Sequence, residues 1–348
     1  MAMSNALTGL LGVEHPILLA AMDLVADARL TRAVSEAGGF GFLGAGYGDA
    51  AWLERELDFL TASKLERPFG VGFITWSLAK RPELLDMALA AGPRAVWFSF
   101  GDPAPFVARV KAAGALVVCQ VQSVDMATDV AALGADIVVA QGGEAGGHGI
   151  SQSSFTLVPA VVDAVGSKVP VVLAGGAANG RALAAALMLG AQGVVMGTRF
   201  YASQEAAGRD SAKQRILAAD GGETLRSIVF DISRQNVWPH PFTGRCLANR
   251  HTDRWLGREQ ELMRRADALA DFAHAREAGD LHIAPVIAGE AVGLVHDIPS
   301  AKEIVLRTIG EAERLLSGAA QHVAIDADRG MNNTSLSRPK SFSSMEDS

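Results

Sequence analysis

The stretch "AQGGEAGGHG", residues 140–149, places five glycines, one glutamate and one histidine in ten positions. Imidazole changes charge near neutral pH, so His148 could move a proton or stabilise an anion. A loop histidine is ordinarily a solvated surface group, and only its placement can argue for chemistry. Glycine admits positive φ and lets another group approach the backbone closely. Glu144 could orient this loop or shape a site, or simply face solvent. Two other stretches, "LAGGAANG" (173–180) and "MGTRF" (196–200), offer backbone amides of the kind that hold a phosphate at a strand-to-helix turn. Tight turning alone would also explain their glycines.

These residues need elements to position them. Eight short apolar runs lie at 16–22, 39–44, 69–76, 95–100, 115–121, 135–142, 169–176 and 193–200. They are nearly continuous in apolar residues, as parallel strands covered on both faces should be. The segments between them carry apolar residues at helical spacing, and several end at glycine. Eight βα units predict an α/β fold, a (β/α)8 TIM barrel. A doubly wound open sheet is the alternative.

In a barrel, ligand-binding groups sit at the C-terminal ends of the strands. Those ends here carry Ala21 and Met22, "GAGYG" (44–48), Thr75 and Trp76, Gln120 and Gln122, the 140–149 loop, Gly175 and Gly176, and Gly197 and Thr198. The turns after the seventh and eighth strands form the usual phosphate site of such a fold. His148 follows the sixth strand on the same rim, which marks it as the candidate reactive group. Arg199 is expected to face the helices as an ion-pair partner. His15, before Pro16, belongs to the barrel bottom. His240 and His251 fall in a segment that could reach over the mouth.

That segment, 221–280, reads as a helical insertion covering the barrel mouth. In it "WPHPFTGRCLANRHTDRW" shows no strand pattern, and "GREQELMRRADALADFAHAREAG" reads as one amphipathic helix. Residues 1–220 and 281–323 would form the barrel, with 300–316 as its closing helix. The polar, Ser-rich stretch 324–348 is expected to be a disordered tail.

Bulk properties exclude some roles. Of the 348 residues 49% are apolar, enough for a large core, and the net charge of −7 argues against nucleic acid or an anionic membrane as partner. A homodimer is compatible with these features. Cys119 and Cys246 have no spacing that suggests a disulfide framework or a metal site, so a reducing, cytoplasmic location is expected. The N-terminus lacks a secretory signal pattern, and no apolar run approaches the roughly 18 residues of a membrane span. Neither GxGxxG after the first strand nor GxxxxGK[ST] occurs.

"HPILLAAM" (15–22), "EAGGHG" (144–149), "LAGGAANG" and "MGTRF" together resemble the nitronate monooxygenases, formerly 2-nitropropane dioxygenases, and the related flavin-type enoyl-acyl-carrier-protein reductases. The resemblance covers residues 10 to about 316. It implies a TIM barrel with non-covalent FMN and a small helical domain over the mouth. It places the phosphate on Gly175, Gly176, Gly197 and Thr198, and the backbone of Ala21 and Met22 near the flavin ring. His148 matches the family histidine near flavin N5, as a base or a substrate-orienting group. Gln120, Gln141, Gly146, Gly147 and Gly72 complete the cofactor-facing set. Gly72 stands where the family often has Asn, Gln141 where an acidic residue is common, and "LAAM" where "QGGM" or "APM" is usual. The implied reaction is oxidation of an alkyl nitronate by O2 to a carbonyl compound and nitrite. The alternatives are an NAD(P)H-dependent enoyl-thioester reductase and a non-enzymatic FMN-binding sensor or carrier.

Overall fold

A computed structural model describes residues 3–63 and 65–319. The expected tail, 324–348, lies outside the described residues. Eleven strands occur among those described. They are β1 (Ile17–Leu19), β2 (Gly41–Gly44), β3 (Phe69–Ile74), β4 (Ala95–Ser99), β5 (Leu116–Val121), β6 (Ile137–Gln141), β7 (Gly147–Gly149), β8 (Val171–Ala174), β9 (Val194–Met196), β10 (Thr224–Ser227) and β11 (Thr243–Leu247).

Eight of them pair in parallel in the order β1-β9-β8-β6-β5-β4-β3-β2. A parallel bridge between Leu18 and Phe40 joins the two ends. It is reinforced by bonds from Leu19 N to Phe40 O and from Phe40 N to Ile17 O, both 2.9 Å. The sheet is therefore a barrel and not an open doubly wound sheet, and each of the eight apolar runs supplies one stave.

The apolar continuity of the staves has two destinations. One set of side chains, including Leu18, Phe40, Phe42, Trp97, Val118, Val139, Val172 and Val195, fills the interior, with Leu7 and Leu11 of the N-terminal helix added to the same cluster. The Phe42 and Trp97 rings meet edge to face at 4.9 Å. The alternate set, Ile17, Leu43, Val71, Val96, Val117, Val138, Val171 and Val194, packs outward against the helices. Period-two alternation thus serves two cores at once, which is why the runs carry almost no polar residue.

Side-chain caps start several of the helices. Asp27, Asp49, Ser123 and Asn179 accept hydrogen bonds from the backbone N–H of Leu30, Trp52, Met126 and Ala182. Such caps satisfy donors that the first helical turn leaves unpaired. The final helix, Ala301–Gly318, begins in a Ser300/Glu303 capping box and packs on helices Gly180–Met188 and Ala28–Glu36. It closes the helical layer between the last barrel unit and the first.

Segment 221–280 departs from the sequence reading in two ways. It is not wholly helical: β10, β11 and β7 form a separate antiparallel sheet in the order β10-β11-β7. The strand within "WPHPFTGRCLANRHTDRW" is Thr243–Leu247, and it pairs with His148 and its neighbours, 94 to 98 positions away. The single helix expected over 257–279 is two, Glu259–Leu262 and Ala266–Ala278. Arg265 leaves helical geometry at φ −105°, ψ 84°. That break lets Leu262 turn into a cluster with Val229, Trp255 and Ala268. Among the described residues, no helix is long and apolar enough to cross a membrane.

Candidate active site

A cavity of about 510 Å3 opens at the C-terminal ends of the barrel strands. That is within the range of small-molecule and cofactor sites. Ala21, Met22, Gln120, Gln141, Gly146, Gly147, His148, Gly175, Gly176, Gly197 and Thr198 all line it. Gly72 does not. A Cβ on Gly72 would lie 2.3 Å from the Cβ of Ala21. The Ala21 methyl therefore fills the space a side chain at 72 would need. Two departures from the family pattern, Ala in "LAAM" and Gly72, are thus one packing arrangement.

The glycine end of the cavity is made of backbone. Gly175 and Gly176 take φ +102° and +73°, a region L side chains rarely adopt, and turn the chain sharply after β8. Among the described residues, neither the N–H of Gly176 nor that of Gly197 donates to a protein acceptor. Thr198 begins the short helix Thr198–Tyr201, and its hydroxyl accepts from Gly289 N at 2.9 Å. A Cβ at Gly197 would meet only Ala20 Cβ at 3.4 Å and Met22 Sδ at 3.6 Å. The protein alone thus has room for a side chain there and does not use it.

The glycines around His148 have a different cause. A Cβ at Gly142 would lie 2.4 Å from Ser154 N, at Gly143 2.8 Å from Ser151 C, and at Gly146 2.6 Å from Ala288 C. These three permit close approach of chain to chain, not of a ligand. The loop is then pinned from outside. The Arg226 guanidinium donates to the carbonyls of Gly143, Ala145, Gly147 and Thr243, and Arg245 donates to that of Gly143. Glu144 accepts from Ser154 N at 3.0 Å and from the Ser153 and Ser154 hydroxyls, so it anchors the loop to the next helix. Burial pushes its carboxyl up, but these bonds outweigh burial and hold it below the usual range.

His148 sits in β7, buried at 9% exposure. Its Nε2 lies 3.1 Å from both carboxylate oxygens of Asp231. The Trp238 ring stacks on it with centroids 3.3 Å apart and planes 5° apart. Burial pulls its pKa below the ordinary histidine value; the Asp231 carboxylate opposes this, and Arg234 and Arg226 add to it. Gln141 accepts from Gln120 and Gln122 and donates to the His148 carbonyl, tying β5 and β6 to the loop.

Around this end stand groups the sequence did not announce. Tyr47 accepts from Trp238 Nε1 at 3.1 Å, and burial pushes its phenol up to about 12. Phe100 meets His148, Trp238 and Phe242 edge to face. Asp23, Arg234 and Arg276 also line the cavity. Burial raises the Asp23 pKa against the pull of the two arginines. Among the described residues, three that are not glycine have positive φ, Leu24 (57°), Phe100 (61°) and Gln235 (54°). Leu24 and Phe100 line the cavity and Gln235 follows a lining residue. Backbone strain of this kind, about 1–3 kcal/mol per residue, concentrates at functional sites.

The remaining sequence candidates lie elsewhere. Arg199 is buried and pairs with Asp297 at 3.0 Å. His15 is buried, with Nδ1 unpartnered among the described residues. His251 bonds Ser233 at 2.8 Å and stacks on Phe230. Neither His251 nor His240 lines the cavity. Among the described residues, no group of His, Cys, Asp and Glu could hold a metal ion.

The chain resembles known proteins over most of its length. A dehydrogenase of Rhodococcus jostii acting on a 5-hydroxy-7a-methyl-1-oxo-octahydro-indene-4-carboxyl-CoA is 31% identical, over 88% of this chain and 95% of its own. A nitronate monooxygenase of Metarhizium robertsii is 34% identical, over 89% and 94%. The structure of FabK from Thermotoga maritima superposes with a TM-score of 0.81 at 30% identity, covering 92% of this chain and 99% of that one. Nitroalkane oxidase of Streptomyces ansochromogenes gives 0.75 at 27%, covering 91% and 100%. The sequence model of the nitronate monooxygenase family matches residues 4–83 and 78–310. With a closed barrel, a cavity at its mouth and that match, the chain is an oxidoreductase belonging to the nitronate monooxygenase family.

Proposed function

We propose that the chain binds FMN and oxidises alkyl nitronates with O2 to a carbonyl compound and nitrite. The reading rests on one cavity that carries His148 together with the unpartnered amides of Gly176 and Gly197. Free backbone N–H groups at strand-to-helix turns fit a phosphate, which needs donors and close approach but no net positive charge. The space left open at Gly197 fits the same group. Ala21 and Met22 would support the flavin ring, with Gln120 and Gln141 beside it. FMN, when bound, supplies the electron transfer between substrate and oxygen. The protein would orient the substrate and handle its proton. Segment 221–280, which brings Asp231 and Trp238 onto His148, would cover the mouth.

His148 has two conceivable roles, and its surroundings favour one. Burial pulls the ring toward its neutral form. A neutral ring suits removal of a proton from a nitroalkane and not electrostatic stabilisation of a nitronate. The site would then generate the nitronate it oxidises.

A second reading, reduction of an enoyl thioester by NAD(P)H, is favoured by the FabK superposition and the CoA dehydrogenase relative. Anaerobic absorbance of the FMN-loaded protein separates the two. Ethylnitronate should bleach the flavin bands, and NADPH should leave them unchanged. Bleaching by NADPH alone would overturn the proposal in favour of the reductase.

A further inference from the structure

We propose that Asp231 is a positioning residue that fixes the tautomer of His148, so that Nδ1 is the nitrogen presented to substrate. The inference rests on the reading of His148 as a base. Asp231 lies on the short helix Val229–Ser233, itself buried at 6% exposure. An ionised carboxylate only accepts hydrogen bonds, so Nε2, 3.1 Å from both its oxygens, must carry the imidazole proton. Nδ1 then holds the free lone pair. Among the described residues Nδ1 has no hydrogen-bond partner, and unlike Nδ1 of His15 it is not sealed from solvent. The Trp238 ring, parallel to the imidazole at 3.3 Å, opposes rotation that would exchange the two nitrogens.

The charged groups facing the ring are few. Asp231 stands at Nε2, while Arg226 and Arg234 contribute positive charge from β10 and from the turn after Val229–Ser233. Arg226 is committed to loop carbonyls, and Arg245 to Gly143 and Glu290. Proton transfer is then balanced within the site. The C–H bond beside the nitro group breaks, its electron pair becomes the nitronate, and the proton goes to Nδ1. The resulting imidazolium is held by the Asp231 carboxylate already at Nε2. The arrangement parallels the orienting carboxylate of a hydrolytic triad, where amidation of the acid favours the wrong tautomer.

The test uses the FMN-loaded full chain with two substrates and one spectrum. Asp231→Asn presents an amide that can donate to Nε2 and so moves the proton to Nδ1. Nitroethane turnover should fall about 10²–10⁴-fold, the usual worth of general-base assistance. Ethylnitronate, which has already lost its proton, should lose less than about tenfold at unchanged FMN content. Asp231→Glu, which keeps the carboxylate, should recover part of the nitroethane rate. Independently of activity, ¹⁵N-histidine NMR of the parent should show His148 Nδ1 unprotonated and Nε2 protonated, reversed in Asp231→Asn. A parent spectrum with the proton on Nδ1 would overturn the proposal, and so would equal losses with both substrates. A parent inert toward both substrates but with the expected tautomer would defeat the nitronate reading and leave the positioning role standing.

Discussion

At one end of the cavity, Gly175, Gly176, Gly197 and Thr198 offer backbone from the ends of two neighbouring strands, β8 and β9. At the other end, His148 with Asp231 behind it, Trp238 and Phe100 offer side chains from three separate segments of the chain. The first end needs no particular side chain, only the absence of one. The second depends on identities, and two of its four members come from segment 221–280. On the proposed reading, ligand affinity and reactivity rest on different kinds of chemistry within one cavity, and single substitutions should separate them.

The sharpest separation is expected at His148. His148→Asn should lower nitroethane turnover about 10²–10⁴-fold while the protein keeps its FMN. Oxygen consumption and the FMN-to-protein ratio measure the two quantities. The parent's rate should fall with acid as His148 takes up a proton, and burial sets this limb below the ordinary histidine pKa. The variant should lack the limb. Parental turnover with the same pH profile would make His148 a bystander and dissolve the distinction between the two ends.

At the backbone end, Gly197→Ala should weaken FMN binding at least about tenfold, roughly 1.4 kcal/mol. The melting temperature of the apoprotein should stay unchanged, because the added methyl meets nothing closer than 3.4 Å and the backbone φ is −104°. Fluorescence titration and a thermal melt of apoprotein distinguish the outcomes. Loss of apoprotein stability with intact FMN affinity would make this glycine a turn former like its neighbours.

The smallest effect concerns the anchor between the ends. Glu144→Gln should cost about 1 kcal/mol, the scale of hydrogen bonds to a half-buried charged group. For a chain of this size that corresponds to about 1–2 °C in melting temperature. Glu144 is depressed below the usual carboxylate range, so its contribution is present above that range and is lost as pH falls through its folded value. The gap between parent and variant, read by calorimetry, should therefore close in acid. A gap that does not narrow at all as pH falls below the usual carboxylate range would mean that the carboxylate charge contributes nothing.

The backbone end and the barrel were legible for the same reason. A strand, its turn and the glycine after it are neighbours in sequence, so each βα unit can be read alone, and eight such units point to a barrel, with the open sheet excluded only by the Leu18–Phe40 bridge. His148 was legible as a candidate through its place after the sixth strand. Its partners were not. Asp231 is 83 residues away and looks like any helical aspartate, and Trp238 sits in a stretch without period. Strand β11 escaped notice because its partner, Gly147–Gly149, is a glycine-rich segment with no strand propensity. The five glycines around His148 pointed to positive φ or to close approach of another group. Three of them accommodate Ser151, Ser154 and Ala288. Sequence reveals that backbone must come close there, but not to what.

The pairing of β7 with β11 also bears on how the protein ages under heat. His148 belongs at once to a loop of the barrel and to a three-stranded ribbon whose other members are Thr224–Ser227 and Thr243–Leu247. Small antiparallel ribbons open at lower free energy than a closed barrel with two cores. Detachment of the ribbon would carry away Asp231 and Trp238 and free the histidine loop, while the staves and glycine turns keep their form. Activity is therefore expected to be lost at a lower temperature than the barrel itself melts.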